Sequence, residues 1–189
     1  VEALPGETIW QVAKRQGTAI PHLCYAPEPG YRADGNCRAC MVEIEGERVL
    51  AASCIRKPLQ DMVVKTASVD AENARRMVME MLVTDQPARE TSPDPESKFW
   101  AWAEAMGVTD SRFPAREQTD SDSSHVAIAV NLEACIHCNL CVRACREVQV
   151  NDVIGMAHRG HGSRIVFDFD DPMGDSTCVA CGECVQACP

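Results

Sequence analysis

Aromatic side chains are scarce in this chain, and long apolar runs are missing from it. Among its 189 residues there are 3 Trp, 2 Tyr and 4 Phe. Neither half can therefore bury a large apolar core, and small domains of this kind are usually held together by metals or disulfides. No segment is apolar over the length of a bilayer span, and none resembles a signal peptide. We expect a cytoplasmic protein with no membrane span.

Basic residues are also few. Lys and Arg together number 18, against 28 Asp and Glu, which gives a formal net charge of -10. Such a surface repels phosphate groups, so we expect no nucleic-acid partner, whereas docking to another protein is compatible with it. The sequence offers no acid–base pair, activated nucleophile or glycine-rich phosphate loop. We therefore predict no catalytic residue within this chain.

Cysteine, in contrast, is abundant and regularly spaced. The 12 cysteines form three sets of four with none left over, and the last two sets share the spacing C-x2-C-x2-C-x3-C. This run binds [4Fe-4S] clusters in bacterial ferredoxins, where the fourth cysteine of each run serves the other cluster. The predicted ligands of one [4Fe-4S] cluster are Cys135, Cys138, Cys141 and Cys188. Those of the second [4Fe-4S] cluster are Cys178, Cys181, Cys184 and Cys145.

The first set has a different spacing, Cys24-x12-Cys37-x2-Cys40-x13-Cys54. One close pair with two distant single thiols suits a flat [2Fe-2S] cluster held by four thiolates. Two other uses of cysteine stay open at this point. Disulfides would need an oxidising compartment, and structural zinc would need two close pairs per ion rather than a third thiol at the same pitch.

The pattern around the first set predicts a small β-grasp-like unit. Thr8 and Gln11 form a capping box that begins a helix. Alternating apolar residues predict a hairpin over 41–53 and a further strand over 61–66. A helix over 70–83 should follow, and its predicted apolar face consists of Ala71, Ala74, Val78, Met81 and Leu82.

The sequence divides into two domains and a connector. Residues 1–84 form the first domain, and residues 85–125 form a helical connector that contains a helix near 99–106 and a charged stretch, 116–125, predicted to be a solvated linker. Residues 126–189 hold both [4Fe-4S] motifs. The predicted fold class is α+β, a β-grasp [2Fe-2S] ferredoxin-like domain followed by a bacterial-type 2[4Fe-4S] ferredoxin-like domain.

These motifs resemble those of a known family. The stretches IPHLCY, GNCRACMVEI, AASC and QDMVVKT resemble the N-terminal [2Fe-2S] domain of the large iron–sulfur subunit of respiratory NADH dehydrogenase. The same domain occurs in iron-only hydrogenases and in the alpha subunit of NAD-dependent formate dehydrogenase. Residues 132–189, with LEACIHCNLCVRAC and STCVACGECVQACP, are most similar to that alpha subunit.

The chain departs from this family in one respect. Most members carry a further cluster between the two domains, bound by one His and three Cys in the pattern H-x3-C-x2-C-x5-C. This chain has no cysteine from Ile55 to Ala134, so the motif is missing. The route of electrons between the two domains is therefore open, and the Trp and Phe residues of the connector are expected to fill the space.

The resemblance implies electron transfer within a larger enzyme. Its cofactors would be one [2Fe-2S] and two [4Fe-4S] clusters, which would take electrons from a Mo or W bis-pterin site that oxidises formate. That site would lie in a C-terminal catalytic domain, and the electrons would pass to a flavin- and NAD-binding subunit. We expect the chain to be a fragment of such a polypeptide, truncated within its second domain. The alternative is a stand-alone ferredoxin-type shuttle subunit of an NAD-linked hydrogenase or diaphorase.

Several basic residues and histidines lie near the cysteines. Arg38, Arg143 and Arg146 adjoin predicted ligands, where their charge would favour the reduced, more negative clusters, although ordinary surface charge explains them equally well. Each set of four thiols is complete without a histidine. The histidines that we do not predict to bind metal are His22, His137, His158 and His161.

Overall fold

The computed structural model describes residues 1–189 as a chain of short helices and strands. The helices are α1 (Ile9–Arg15), α2 (Val69–Val83), α3 (Lys98–Ala105), α4 (Leu140–Arg143) and α5 (Glu183–Ala187). The strands are β1 (Met41–Ile44), β2 (Ala51–Ala52), β3 (Val64–Lys65), β4 (Ile154–Ala157) and β5 (Arg164–Phe167). The predicted α+β class is confirmed. None of the helices combines the length and the apolar character needed to cross a bilayer.

The first domain is a small sheet that shares its core with one helix. β1 lies in the centre and pairs antiparallel with β2 on one side and β3 on the other. α1 begins at the predicted capping box, where the Thr8 hydroxyl accepts from the Gln11 N–H and the Gln11 side chain accepts from the Thr8 N–H. Trp10 on this helix is buried in the core, and its indole Nε1 donates to the Ile20 carbonyl at 3.0 Å.

Helix α2 forms where it was predicted, but its buried face overlaps the predicted one only in part, since Ala71 is buried and Val78 and Leu82 are partly buried. Its buried residues, which follow one another at intervals of four, are Ala71, Arg75, Met79 and Val83. Met81, predicted to be on the buried face, is 49% exposed, so that part of the prediction was wrong. The reason is that α2 packs between two elements. Arg75 donates to the Met41 carbonyl of β1 at 2.7 Å, while Met79 packs in a cluster with α3.

The connector is packed against the first domain. α3 confirms the predicted short helix and begins at Ser97, whose hydroxyl accepts from the Trp100 N–H. Phe99 and Trp100 lie in one buried cluster with the end of α2 and with Leu23, next to the first predicted ligand, Cys24. The connector aromatics therefore seal the side of the first domain that bears its cysteines.

The stretch 116–125 is mostly exposed, as predicted, but two of its charged side chains anchor it. Arg116 is buried and donates to the Cys135 carbonyl at 3.4 Å. The Asp122 carboxylate accepts from the Met173 N–H at 2.7 Å, and this hydrogen bond lowers the pKa of Asp122. The prediction of a solvated linker therefore fails at these two residues, because each charge meets backbone groups of the second domain.

The second domain is built from the two cysteine runs and the insertion between them. α4 contains part of the first run and continues into a single π-helical turn, Ala144–Val148, and α5 contains part of the second. The insertion forms the antiparallel hairpin β4–β5, in register at Ile154↔Phe167. Apolar side chains of the hairpin pack together with cysteines of both runs. The hairpin thus packs against one side of the predicted cluster sites.

The corrected face of α2 can be tested by two methionine substitutions on that helix. We expect Met79→Ala to lower the free energy of unfolding by about 2–5 kcal/mol, because it removes a fully buried side chain and leaves a cavity. Met81→Ala, the matched control, should change it by less than about 0.5 kcal/mol, because its side chain is half exposed. Urea unfolding monitored by circular dichroism measures both. Equal losses would favour the face predicted from periodicity instead.

Candidate metal centres

The first set of cysteines converges at one end of the first domain. Cys24 ends the segment that follows α1, Cys37 and Cys40 precede β1, and Cys54 follows β2. The Cys24 N–H donates to the Cys37 sulfur and the Cys37 N–H to the Cys24 sulfur, each at 3.4 Å. The Ser53 hydroxyl donates to the Cys40 carbonyl at 2.8 Å, and this hydrogen bond holds Cys40 beside β1.

The thiols of this set shift one another's acidity. Hydrogen bonds from the Cys37 and Cys54 thiols lower the pKa of Cys24, and a hydrogen bond from Cys54 lowers the pKa of Cys40 to about 7. The hydrogen bond to Cys24 raises the pKa of the two donating thiols, Cys37 and Cys54. The sulfurs of this set therefore lie within hydrogen-bonding distance of one another, as four ligands of one cationic group would.

The cysteines of the second domain lie in two groups, and each group lines one cavity. A cavity of about 240 Å³ has in its wall the four thiols predicted for one cluster, Cys135, Cys138, Cys141 and Cys188. A smaller cavity of about 20 Å³ is lined by the four predicted for the other, Cys145, Cys178, Cys181 and Cys184. The fourth cysteine of each run thus lies with the first three of the opposite run. Cys184 lines both cavities, so the two groups share a wall.

The sequence repeat is reproduced in the backbone. His137 and Ala180, at equivalent places in the two runs, have φ of 53° and 56°, and each donates its N–H to the first sulfur of its run at 3.4 Å. Asn139 and Gly182 have φ of 62° and 77° and lie immediately before α4 and α5. Left-handed conformations cost free energy for residues other than glycine and are concentrated at functional sites.

The donor set fits iron–sulfur clusters. All twelve cysteines are free of disulfides, and no group of three or more His, Cys, Asp or Glu side chains has the geometry of a single-ion site. Burial raises the pKa of Cys138 to about 12 and also raises that of Cys141, and a bound cation would oppose this shift. Gln86, whose buried Nε2 has no partner, is among the residues that line the larger cavity, and its N–H could donate to a sulfur bound there.

The first site lies directly beside the larger cavity of the second domain. Cys24 and Cys138 belong to one small buried cluster with Ala26 and Leu140, against which Cys37 packs. The Asn36 side chain donates to the Cys138 carbonyl at 3.4 Å. No further cluster site intervenes between these two groups of cysteines. Cys24 and Cys138 are therefore neighbours in the folded chain, although the one-His, three-Cys motif is missing from the sequence between them.

The loop from Pro27 to Gly35, which carried no signal in the sequence, makes much of this contact. The Tyr31 hydroxyl donates to the Glu183 carboxylate of α5 at 2.8 Å, and burial together with this partner raises the pKa of Tyr31. Arg32 pairs with Glu147 at 2.9 Å. These partners are distant in sequence and follow no periodicity, so only the tertiary structure reveals them.

The basic residues near the cysteines have different surroundings. Arg143 is buried, whereas Arg38 and Arg146 are exposed, and Arg146 pairs with Asp152 at 2.5 Å. The two arginines at the surface are therefore ordinary surface charges.

Two of the histidines that we did not predict to bind metal have other partners, and two are exposed. Burial lowers the pKa of His22 to about 4, and its Nδ1 lies 3.2 Å from the Ile20 carbonyl. His137 Nε2 accepts from Arg116 at 3.1 Å. The remaining two, His158 and His161 in the insertion, are exposed where β4 joins β5.

Comparisons with known proteins agree with this arrangement. Residues 1–69 match the 2Fe-2S iron-sulfur cluster binding domain family, and residues 134–189 match the 4Fe-4S dicluster domain family. A chain in the crystal structure of an NAD+-reducing [NiFe]-hydrogenase in the H2-reduced state superposes with a TM-score of 0.82 at 30% identity, covering 95% of this chain and 76% of that one. The predicted [2Fe-2S] domain and dicluster domain are thus confirmed.

Curated relatives extend well beyond the region they share with this chain. The NADP-reducing hydrogenase subunit HndD of Solidesulfovibrio fructosivorans is 34% identical over 97% of this chain and 32% of its own length. An NADH-quinone oxidoreductase subunit of Rhizobium meliloti is 32% identical over 100% of this chain and 22% of its own length. A Staphylococcus aureus chain provisionally named a formate dehydrogenase is 26% identical over 98% of this chain and 19% of its own. The chain therefore spans about a third or less of these relatives.

The exchange of fourth ligands between the two runs can be tested by serine substitutions. We expect Cys188→Ser and Cys138→Ser to alter one and the same [4Fe-4S] signal, because both thiols line the larger cavity. Cys145→Ser and Cys181→Ser should alter the other, because both line the smaller one. EPR of the reduced full-length protein, with iron and sulfide analysis, measures this. If Cys188→Ser and Cys181→Ser affected the same signal, the exchange would be wrong.

Proposed function

Because this chain belongs to the family of iron–sulfur subunits in which a [2Fe-2S] domain precedes a 4Fe-4S dicluster domain, we propose that it carries electrons across an NAD(P)-linked oxidoreductase complex. The observation that supports this most directly is the contact between the first cysteine set and the larger cavity through Cys24 and Cys138. Bound clusters would supply reversible one-electron transfer. The twelve thiols are the proposed ligands, in the three sets predicted from their spacing.

The chain's own residues would bind the clusters and keep water from them. Cys24, Cys40 and Cys54 are at most 1% exposed, and the connector aromatics cover the neighbouring surface. Backbone N–H groups of Cys37, His137 and similar residues donate to sulfur, which stabilises negative charge on the ligands. Cys181 and Cys188, in contrast, are exposed. The thiols of the first set are thus more deeply buried than Cys181 of the far set.

For the electron donor we propose formate, oxidised at a Mo or W bis-pterin site in a C-terminal catalytic domain outside these residues. The support is the resemblance of residues 132–189 to formate dehydrogenase alpha subunits and the match to the Staphylococcus aureus chain over 98% of this one. None of the residues in this chain would act on formate. Their role in the complete enzyme would be electron transfer alone.

Hydrogen is the second candidate, because two observations favour it. The relative from Solidesulfovibrio fructosivorans, a hydrogenase subunit, is 34% identical, and the superposed crystal structure with a TM-score of 0.82 is that of a hydrogenase. In that case the chain would be part of a hydrogen-oxidising complex or a shuttle subunit of it. Both candidates share NAD(P) as the second substrate.

The proposed partner in either case is a flavin- and NAD(P)-binding subunit. An excess of acidic over basic residues, 28 against 18, suits a partner with a basic docking face and would make binding weaker at high salt. The proposed location is the cytoplasm, where twelve free thiols would remain reduced.

Activity and spectra of the native complex test this proposal. We expect the purified full-length protein to contain one [2Fe-2S] and two [4Fe-4S] clusters, visible as three EPR signals on reduction. Formate should reduce all three clusters and should produce NADH or NADPH in the presence of the flavin subunit, with Mo or W detected by elemental analysis.

Two outcomes would change the assignment. Reduction of the clusters by hydrogen but not by formate, with nickel or a di-iron centre present, would replace formate dehydrogenase by hydrogenase. A colourless protein that contains zinc and gives no EPR signal would exclude electron transfer itself.

A further inference from the structure

One buried arginine connects the two neighbouring groups of cysteines. Arg143 lies at the end of α4 with its side chain 3% exposed. Its Nη2 donates to the Cys24 carbonyl at 2.5 Å and to the Cys138 carbonyl at 3.3 Å. The first is a predicted [2Fe-2S] ligand and the second a predicted [4Fe-4S] ligand, and the two come from different domains. No other arginine of the chain contacts both sites.

The rest of the guanidinium is fully engaged. Nη1 donates to the Arg32 carbonyl, while Nε donates to the Asn139 carbonyl at 3.3 Å and pairs with the Asp34 carboxylate at 3.1 Å. Asp34 is 18% exposed and also pairs with Arg32. The site therefore contains the buried Arg143 cation, the partly buried Asp34 carboxylate and several carbonyl acceptors. The planar guanidinium of arginine can donate to all of these groups at once, which the ammonium of lysine could not.

A buried cation at this place acts on both sites at once. The low local polarity strengthens its field, and it draws electron density through the carbonyl groups of the two ligand residues. A cluster gains a negative charge when it takes up an electron, so a nearby positive charge favours the reduced form. Asp34 opposes that effect with a charge of the other sign.

We propose that Arg143 is a positioning residue that holds Cys24 and Cys138 in contact and raises the reduction potentials of the [2Fe-2S] cluster and of the nearer [4Fe-4S] cluster together. This inference rests on the proposed electron-transfer function. Because both potentials would shift in the same direction, the driving force between the two neighbouring centres would change little while both became easier to reduce.

EPR-monitored redox titration of the full-length protein with its clusters tests the proposal. Arg143→Gln should lower the reduced-to-oxidised ratio of both clusters about tenfold at a fixed ambient potential, which is about 59 mV for one electron. Asp34→Asn should raise both ratios, because it leaves the arginine charge unopposed. The nearer [4Fe-4S] signal is the one that Cys188→Ser alters.

Two further variants separate charge from packing. Arg143→Lys keeps the charge but loses the fork, so we expect its potentials to lie closer to wild type than those of Arg143→Gln, with weaker thermal stability. Arg146→Gln is the matched control, because this arginine lies three residues further along in an exposed ion pair with Asp152, and it should leave both potentials unchanged. Should Arg143→Gln fail to assemble, Asp34→Asn and Arg143→Lys still give the test.

The outcomes are distinct. Opposite shifts in Arg143→Gln and Asp34→Asn, each affecting both clusters, support the inference. A shift of one cluster alone, no shift, or shifts of the same sign in both variants would overturn it while leaving the electron-transfer function intact. If the wild-type protein gave no cluster signals at all, the proposed function would fail instead.

Discussion

Several of the twelve thiols lie in buried surroundings that oppose their ionisation. Burial raises the pKa of Cys138 and of Cys141, and a bound cation or N–H donors at these sulfurs would favour negative charge there. The backbone supplies such donors locally with left-handed residues that turn amide groups toward sulfur, as at His137 and Ala180. Short helices, a small sheet and a two-stranded hairpin are then sufficient, because the sulfur sites take the place of a larger apolar core.

The sequence predicted the features whose causes are local. The capping box at Thr8 and Gln11 needs only the residues of one helical turn. The exchange of fourth cysteines between the two runs stays a prediction from the repeated motif, and the linings of the two cavities are compatible with it. The buried face of α2 was predicted less well, because it depends on which elements contact the helix. Arg75 lies on that face only because the Met41 carbonyl is within its reach.

The contact between the domains could not have been predicted. Arg143 and Cys24 are 119 residues apart, and Tyr31 and Glu183 are 152 apart, while neither pair belongs to a periodic pattern. A Pro- and Gly-rich loop gives no indication of what it will contact. The sequence shows that cysteine is lacking between Ile55 and Ala134, but it does not show how the two sites are arranged in space. In the structure the connector aromatics pack beside Cys24, and the two sites lie next to each other.

The hydrogen bond from Tyr31 to Glu183 has a consequence for how electron flow could be controlled. It joins the loop of the first domain to α5, on the far run of the second, and with Arg32–Glu147 it attaches that loop at separate points. Attachment at several points would restrict relative motion of the two domains, and the distance between the centres would then vary little. The rate of transfer would then depend on driving force and on docking of the partner, and solvent viscosity would not slow it as it slows carriers that rotate a mobile head.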